Sequence, residues 1–275
     1  RFLRAVGHDG EAVGFAQKGV TLTRSLRLFV FLAAGGFALG SSGTALAAYN
    51  PSLLVAGTNH SLARSAPVVI GLDKDDADDA TAEGTIYSPR GYRVTLGQAP
   101  GTQLGGISGQ YVVGARGGAK VDIEGTVRAD NPASYVANTC APGLHEAVWV
   151  LQFMLEGVQM QIPVYVDRVT AGPEAAYASA RIKICLASPY VPPPQGAPSG
   201  SSLLVAAFSV GGIFTNPSAR GTHGWNAVFP PFSPGSATLN PALAAQSTSY
   251  VRLPVRFAVS AKRQRRGKKT FALVT

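Results

Sequence analysis

Apolar and polar side chains alternate with a period of two along segment after segment of this 275-residue chain. That spacing belongs to strands with one buried face. In Lys120–Ala129, Val121, Ile123 and Val127 face one way, and Lys120, Asp122, Glu124 and Arg128 the other. In Val251–Val259, Val251, Leu253, Val255, Phe257 and Val259 share a face opposite Arg252 and Arg256. Residues 148–166 read as a hairpin. Trp149, Leu151, Phe153 and Leu155 line one face of its first arm, Glu156-Gly157 turns the chain, and Val158, Met160, Ile162, Val164 and Val166 line the second. Pro163 lacks an amide donor, which places that arm at an edge or a bulge. Ser202–Phe208 is apolar on both faces, as a central strand is.

With 32 Gly and 19 Pro, long helices and coiled coils are excluded. With 46% hydrophobic and 14% charged residues, so is a disordered polymer. No amphipathic helix stands out. The fold expected is all-β, one or two β-sandwich domains, with strands near 52–57, 66–72, 85–97, 110–127, 146–167, 178–187, 202–215, 222–230 and 250–260. A boundary at Asp130-Asn131-Pro132 would give domains at 48–130 and 131–261. Pro189–Gly200 reads as a long loop, because the strands after it would make a very small domain alone.

The N-terminal part reads as an address, a signal helix ahead of the folded body. Arg24 and Arg27 precede an apolar run from Leu28 to Leu39, and small residues lead to Ala45-Leu46-Ala47. These are the parts of a secretory signal peptide, with cleavage between Ala47 and Ala48. A membrane anchor over Leu28–Ala47 is the rival, but four glycines in it make a poor permanent helix. Residues 1–27 are too long and too acidic (Asp9, Glu11) for a leader's basic region. A start at Val20, read from a GTG codon, supplies a short one, and residues 1–19 then read as untranslated upstream sequence. The whole of 1–47 is therefore set apart from the folded body.

The net charge of +9 is not spread evenly. Lys262, Arg263, Arg265, Arg266, Lys268 and Lys269 form a basic segment in 262–275, and the body between leader and segment is neutral. Such a run suits a cell-wall or surface polymer, another surface protein or anionic headgroups. No aromatic platform accompanies it, so nucleic acid is not expected. Membrane contact is expected only through an uncleaved signal. Thr270–Thr275 reads as strand-like up to the last residue, which suggests further chain.

Cys140 and Cys185 are the only cysteines. An even count in an exported chain reads as a disulfide, and neither residue has a His or Cys at metal-ligand spacing. Parity puts Cys185 with Arg181 and Lys183, opposite Ile182, Ile184 and Leu186. The bridge is therefore expected on an outer face.

The short alternating strands, the Cys140/Cys185 pair and the run Gly221-Thr222-His223-Gly224-Trp225-Asn226-Ala227-Val228-Phe229 together resemble immunoglobulin-like and fibronectin-III-like β-sandwich modules in uncharacterised secreted proteins of high-GC bacteria. The resemblance spans about residues 48–260. It implies a non-catalytic surface module, although the outward Cys185 departs from the antibody pattern.

Motifs for chemistry are sparse. Asp73, Asp75, Asp76, Asp78, Asp79 and Glu83 cluster as Ca²⁺ ligands do, but Ala77 and Asp78 break the EF-hand template. The plainer reading is an acidic hairpin loop between Val68–Leu72 and Thr85–Tyr87. His60, His145 and His223 are scattered, and no nucleophile elbow, zinc motif or phosphate loop is present. Tyr165 shares a face with Gln159, Gln161 and Asp167 and is expected at the surface. Trp149 is expected in the core. The expectation is a secreted or cell-surface protein with a structural or binding role, no catalytic residues and no cofactor beyond that Ca²⁺ candidate. The alternatives are a carbohydrate-binding module and an exported hydrolase with scattered catalytic residues.

Overall fold

The computed structural model describes residues 49–193, 196–254, 261–266 and 269–274. The expected signal segment lies outside them. Among the described residues helical structure is confined to five 3-10 turns of three or four residues, and the chain is all-β. The first strands are Ser52–Gly57 (β1), Ser65–Asp73 (β2), Glu83–Pro89 (β3), Arg93–Val94 (β4), Gln103–Val113 (β5) and Ala119–Asp130 (β6). Ala147–Leu155 (β7), Val158–Arg168 (β8), Ala178–Cys185 (β9), Ser201–Thr215 (β10), Gly221–Phe229 (β11) and Ala245–Leu253 (β12) follow. Ala261–Arg266 (β13) and Lys269–Val274 (β14) pair in a separate hairpin, which holds most of the basic segment and the strand expected near the end.

Eleven strands form one antiparallel path in the order β1-β2-β10-β5-β6-β7-β8-β9-β3-β11-β12, with the short β4 beside β10. This path bears on three expectations. A sandwich is not shown, since these strands share one continuous ladder. The boundary near Asp130 does not divide it, because β2 pairs with β10 and β3 with both β9 and β11. Nor do β2 and β3 form a hairpin around the acidic loop, since they lie far apart in the path. Residues 74–82 instead cross from one strand to the other.

The path curls until β1 approaches β12, which makes the sheet nearly a barrel. With an odd number of antiparallel strands, the first and last must run parallel where they meet. The seam is joined by side chains. The Leu53 amide donates to Ser247 Oγ at 2.8 Å, and the Val55 amide to Ser249 Oγ at 2.9 Å. Those hydroxyls satisfy edge donors that would otherwise be open to pairing with another chain.

Among the described residues the alternation read from the sequence mostly points its apolar face inward; Val158, beside the turn, is exposed, and Val255, Phe257 and Val259 lie outside the described residues. Ile123, Val127, Trp149, Leu151, Phe153, Leu155, Val251 and Leu253 all lie in one interior core. The β7–β8 hairpin turns at Glu156 and Gly157, both with positive φ, as a two-residue turn between right-twisted strands demands. Pro163 faces Val150 on one side. On the other, the β8–β9 ladder begins only at Val164, so the missing donor falls where β8 is a local edge. β5 and β6 were read as one strand over 110–127; they are two, joined by a tight turn at Gly114–Arg116. Gly109 is needed inside β5, because a Cβ there would lie 2.4 Å from the Val205 carbonyl oxygen.

A second, smaller core lies outside the barrel. The 131–146 segment folds over β7 and β8 and buries Val148, Val150 and Tyr165 against Ala141. This corrects the expectation for Tyr165, which is 1% exposed. Parity had put it on the outer face correctly, but that face is covered. Tyr135 and His145 pack on its ring, with centroids 6.4 and 4.8 Å away.

Candidate functional site

The two ends of the barrel are filled differently. At one end Tyr92, Phe214 and Trp225 pack edge to face, with centroids 5.1 to 6.5 Å apart, and plug the interior. At the other, β2, β3, β5, β7, β8, β9, β10 and β11 leave a cavity of about 50 Å³. Its walls include Ile107, Leu151, Leu203, Phe208 and Phe229, and its only side-chain polar groups are the hydroxyls of Thr81 and Tyr111. A second compartment of about 120 Å³ adjoins it, bounded in part by the same Thr81, Tyr111, Ile162, Leu186 and Leu203. This outer space is wetter, with Gln161, Ser201 and Ser202 in its wall. It lies where residues 158–163 of β8 have no β9 partner and β9 leaves the sheet after Cys185.

Two loops cover this end. One is the acidic 74–82 crossing. Ala80 and Thr81 line the outer compartment, and the segment is held by Phe232 N to Ala80 O at 2.8 Å and Leu186 N to Ala82 O at 2.8 Å. The other is the Pro-rich connection after β9, which contributes Pro189 and Ala197. It is a long loop, as its composition suggested. Thr81 Oγ1 accepts from Tyr49 Oη at 2.9 Å. Tyr111 is 6% exposed, and burial pushes its phenol pKa up.

The acidic run encloses a cation of its own, held by backbone carbonyl oxygens. Lys74 is 7% exposed, and its ammonium donates to the carbonyl oxygens of Asp75 at 3.2 Å and Asp78 at 3.1 Å. Burial lowers its pKa, while Asp78, Asp76, Asp79 and Asp75 act in the opposite direction without cancelling that effect. Asp76 pairs outward with Lys120 at 2.9 Å, and Glu83 with Lys183 at 3.1 Å. Among the described residues no three His, Cys, Asp or Glu side chains converge as a metal site. Lys74 was the missed signal, a lone cation inside the acidic run.

Cys140 and Cys185 lie at disulfide distance, with Cα atoms 6.3 Å apart. Ile182 and Ile184 pack on the barrel core, whereas Cys185 packs on the outer one, the face that parity assigned. His145 lies in the same latch. Its Nδ1 is 2.9 Å from Asp167 Oδ2 and its Nε2 3.1 Å from the Ala141 carbonyl oxygen. Asp167 also accepts from the Glu146 amide and from Arg181, and Glu146 pairs with Arg168. Burial acts to raise the Asp167 pKa, but the His145, Glu146 and Arg181 hydrogen bonds outweigh it, and the net shift is downward.

The other histidines are elsewhere. His60 Nδ1 is 3.1 Å from the Arg252 carbonyl oxygen, and His223 stacks edge-on to Tyr92 in the aromatic plug. The structure thus brings His145, Cys140 and Cys185 together on the outer face and leaves the acidic run at the cavity end. Lys268 of the basic segment lies outside the described residues. Comparison with protein-family models, curated proteins and solved structures returns no match.

Proposed function

We propose that this chain is an exported, non-catalytic β protein with a structural or binding role at the cell surface. The observation that carries the reading is the latch on the outer face. Cys140, Cys185 and His145, the residues with most chemistry to offer, all hold the 131–146 segment against β7, β8 and β9. A cross-link used in this way suits an oxidising compartment. A ring with both nitrogens facing acceptors has no free nitrogen to act as a general base.

In this reading residues 20–47 are the bacterial signal peptide, and the basic 262–269 run touches anionic wall polymer or another surface protein. The kinship to secreted immunoglobulin-like modules is then one of layout, short alternating strands and a single staple. The test is expression of the reading frame from Val20 in a bacterial host, followed by fractionation and mass spectrometry. The expected product starts at Ala48, lies outside the cytoplasm and has no reactive thiol. A cytoplasmic protein with two free thiols overturns export, and turnover of an ester or glycoside panel overturns the non-catalytic role.

A further inference from the structure

Cross-strand pairing sets a row of side chains on the outer face of the barrel. Asp167 of β8, Arg181 of β9, Tyr87 of β3, Asn226 of β11 and Thr248 of β12 stand opposite one another in turn. Near its Asp167 end the row borders an open cleft of about 220 Å³, walled by Tyr87, Asp167, Arg168, Glu174, Arg181 and residues 169–171. Backbone hydrogen bonds tie down the connection that forms its rim. The Val169 amide donates to the Ser179 carbonyl at 3.0 Å, and the Arg90 amide to the Tyr177 carbonyl at 2.7 Å. Tyr177 then meets the Tyr87 ring edge to face, with centroids 5.6 Å apart.

Two acids and two bases line the cleft, so their charges cancel. Among the described residues, the hydrogen bonds made by its side chains engage Asp167, Arg168 and Arg181. The hydroxyls of Tyr87 and Thr170 and the Glu174 carboxylate are left to a ligand. A ring face beside donors and acceptors, with no net charge, matches a sugar ring. The C–H face of a pyranose lies on aromatic carbon, and its hydroxyls need both donors and acceptors. A second ring lies along the same outer face. Tyr250 is 70% exposed, and one edge of it sits over Gly224, where a Cβ would lie 3.3 Å from Tyr250 Cε1. Tyr87 and Tyr250 stand two strands and two residues apart, roughly 12 Å in an ideal sheet. Between them Thr248 donates to Asn226 at 2.9 Å. A ligand that reaches both tyrosines must be an oligomer.

We propose that this face binds a neutral oligosaccharide, with one sugar ring in the cleft against Tyr87 and the chain running over Asn226 and Thr248 to Tyr250. This rests on the binding role proposed above and names its ligand class. The experiment titrates the disulfide-intact protein with cellotetraose, maltotetraose, mannotetraose and tetra-N-acetylchitotetraose, and with tetragalacturonate as the anionic member. Calorimetry reads affinity, and amide NMR shifts locate the site. Saturable binding of at least one neutral tetrasaccharide is expected, with shifts at Tyr87, Thr170 and Arg181. Tyr87→Ala should weaken it about tenfold, whereas Tyr87→Phe, which keeps the ring, should stay within about threefold. Tyr250→Ala should weaken the tetrasaccharide roughly three- to tenfold and leave the matching disaccharide unchanged. Thr170→Trp fills the cleft from an exposed rim position and should abolish binding. It also serves should Tyr87→Ala fail to fold.

Absence of saturation by every neutral tetrasaccharide overturns the proposal, as does a preference for tetragalacturonate. Binding indifferent to both Tyr87→Ala and Thr170→Trp overturns it too. None of these results touches export or the lack of catalysis, which are read by fractionation and by the mass of the recovered sugar. A shortened sugar would overturn the non-catalytic role and leave this site standing.

Discussion

Asp167 shows how one side chain fixes a segment far from it in sequence. It receives hydrogen bonds from His145, Arg181 and the Glu146 amide. Its folded pKa is lowered, so it adds stability that is present above the unfolded carboxylate value near 3.9. That stability is lost as pH falls through the folded value. Asp167→Asn should therefore cost about 1–3 kcal/mol at pH 7, and the gap from the parent should close toward pH 2. Urea titrations of both proteins across that range check it. Gly125 makes the complementary case for the absence of a side chain. A Cβ there would lie 1.9 Å from the Gln152 carbonyl oxygen, so Gly125→Ala should destabilise by about 3 kcal/mol or more. A thermal melt reads that loss. Both residues also mark what parity could and could not reveal. Parity put Tyr165 and Asp167 on one outer face, yet only the fold shows that face covered by 131–146.

The element that decides closure is the β1–β12 seam. Ser247 and Ser249 stand at every second residue, and their hydroxyls take the amides of Leu53 and Val55. Each Ser→Ala change should cost about 1–3 kcal/mol, because a donor loses its acceptor in a partly buried place. Hydrogen exchange at Leu53 and Val55 should speed up in the respective variant, while amides in the β5–β6 ladder stay protected. Most strands were legible from alternation, to within a few residues for β1, β2, β7, β8, β9, β10 and β11. β5 was not legible in its first half. Gly105, Gly106 and Gly109 remove the apolar marks that alternation depends on, and at Gly105 and Gly109 neighbouring backbone leaves no room for a Cβ. The turn at Gly114–Arg116 was missed for a related reason, since apolar residues flank it on both sides in matching phase.

For the molecule as a whole, the 45-residue separation of Cys140 and Cys185 sets the value of the staple. Closing a loop of that length restricts the unfolded chain by roughly 4 kcal/mol. The Cys140→Ser/Cys185→Ser double variant should lose about that much in urea unfolding, and amides of 131–146 should exchange first. The amino-acid sequence by itself determined the β class, the inward face of most strands, the pairing of two cysteines and their outward side. These are local properties, written in period, parity and count. Only the tertiary structure decided that the strands form one nearly closed path, that Lys74 occupies the acidic loop, and that a cavity with Tyr111 at its wall lies beneath it. Those depend on which distant strands become neighbours, and alternation carries no information about partners.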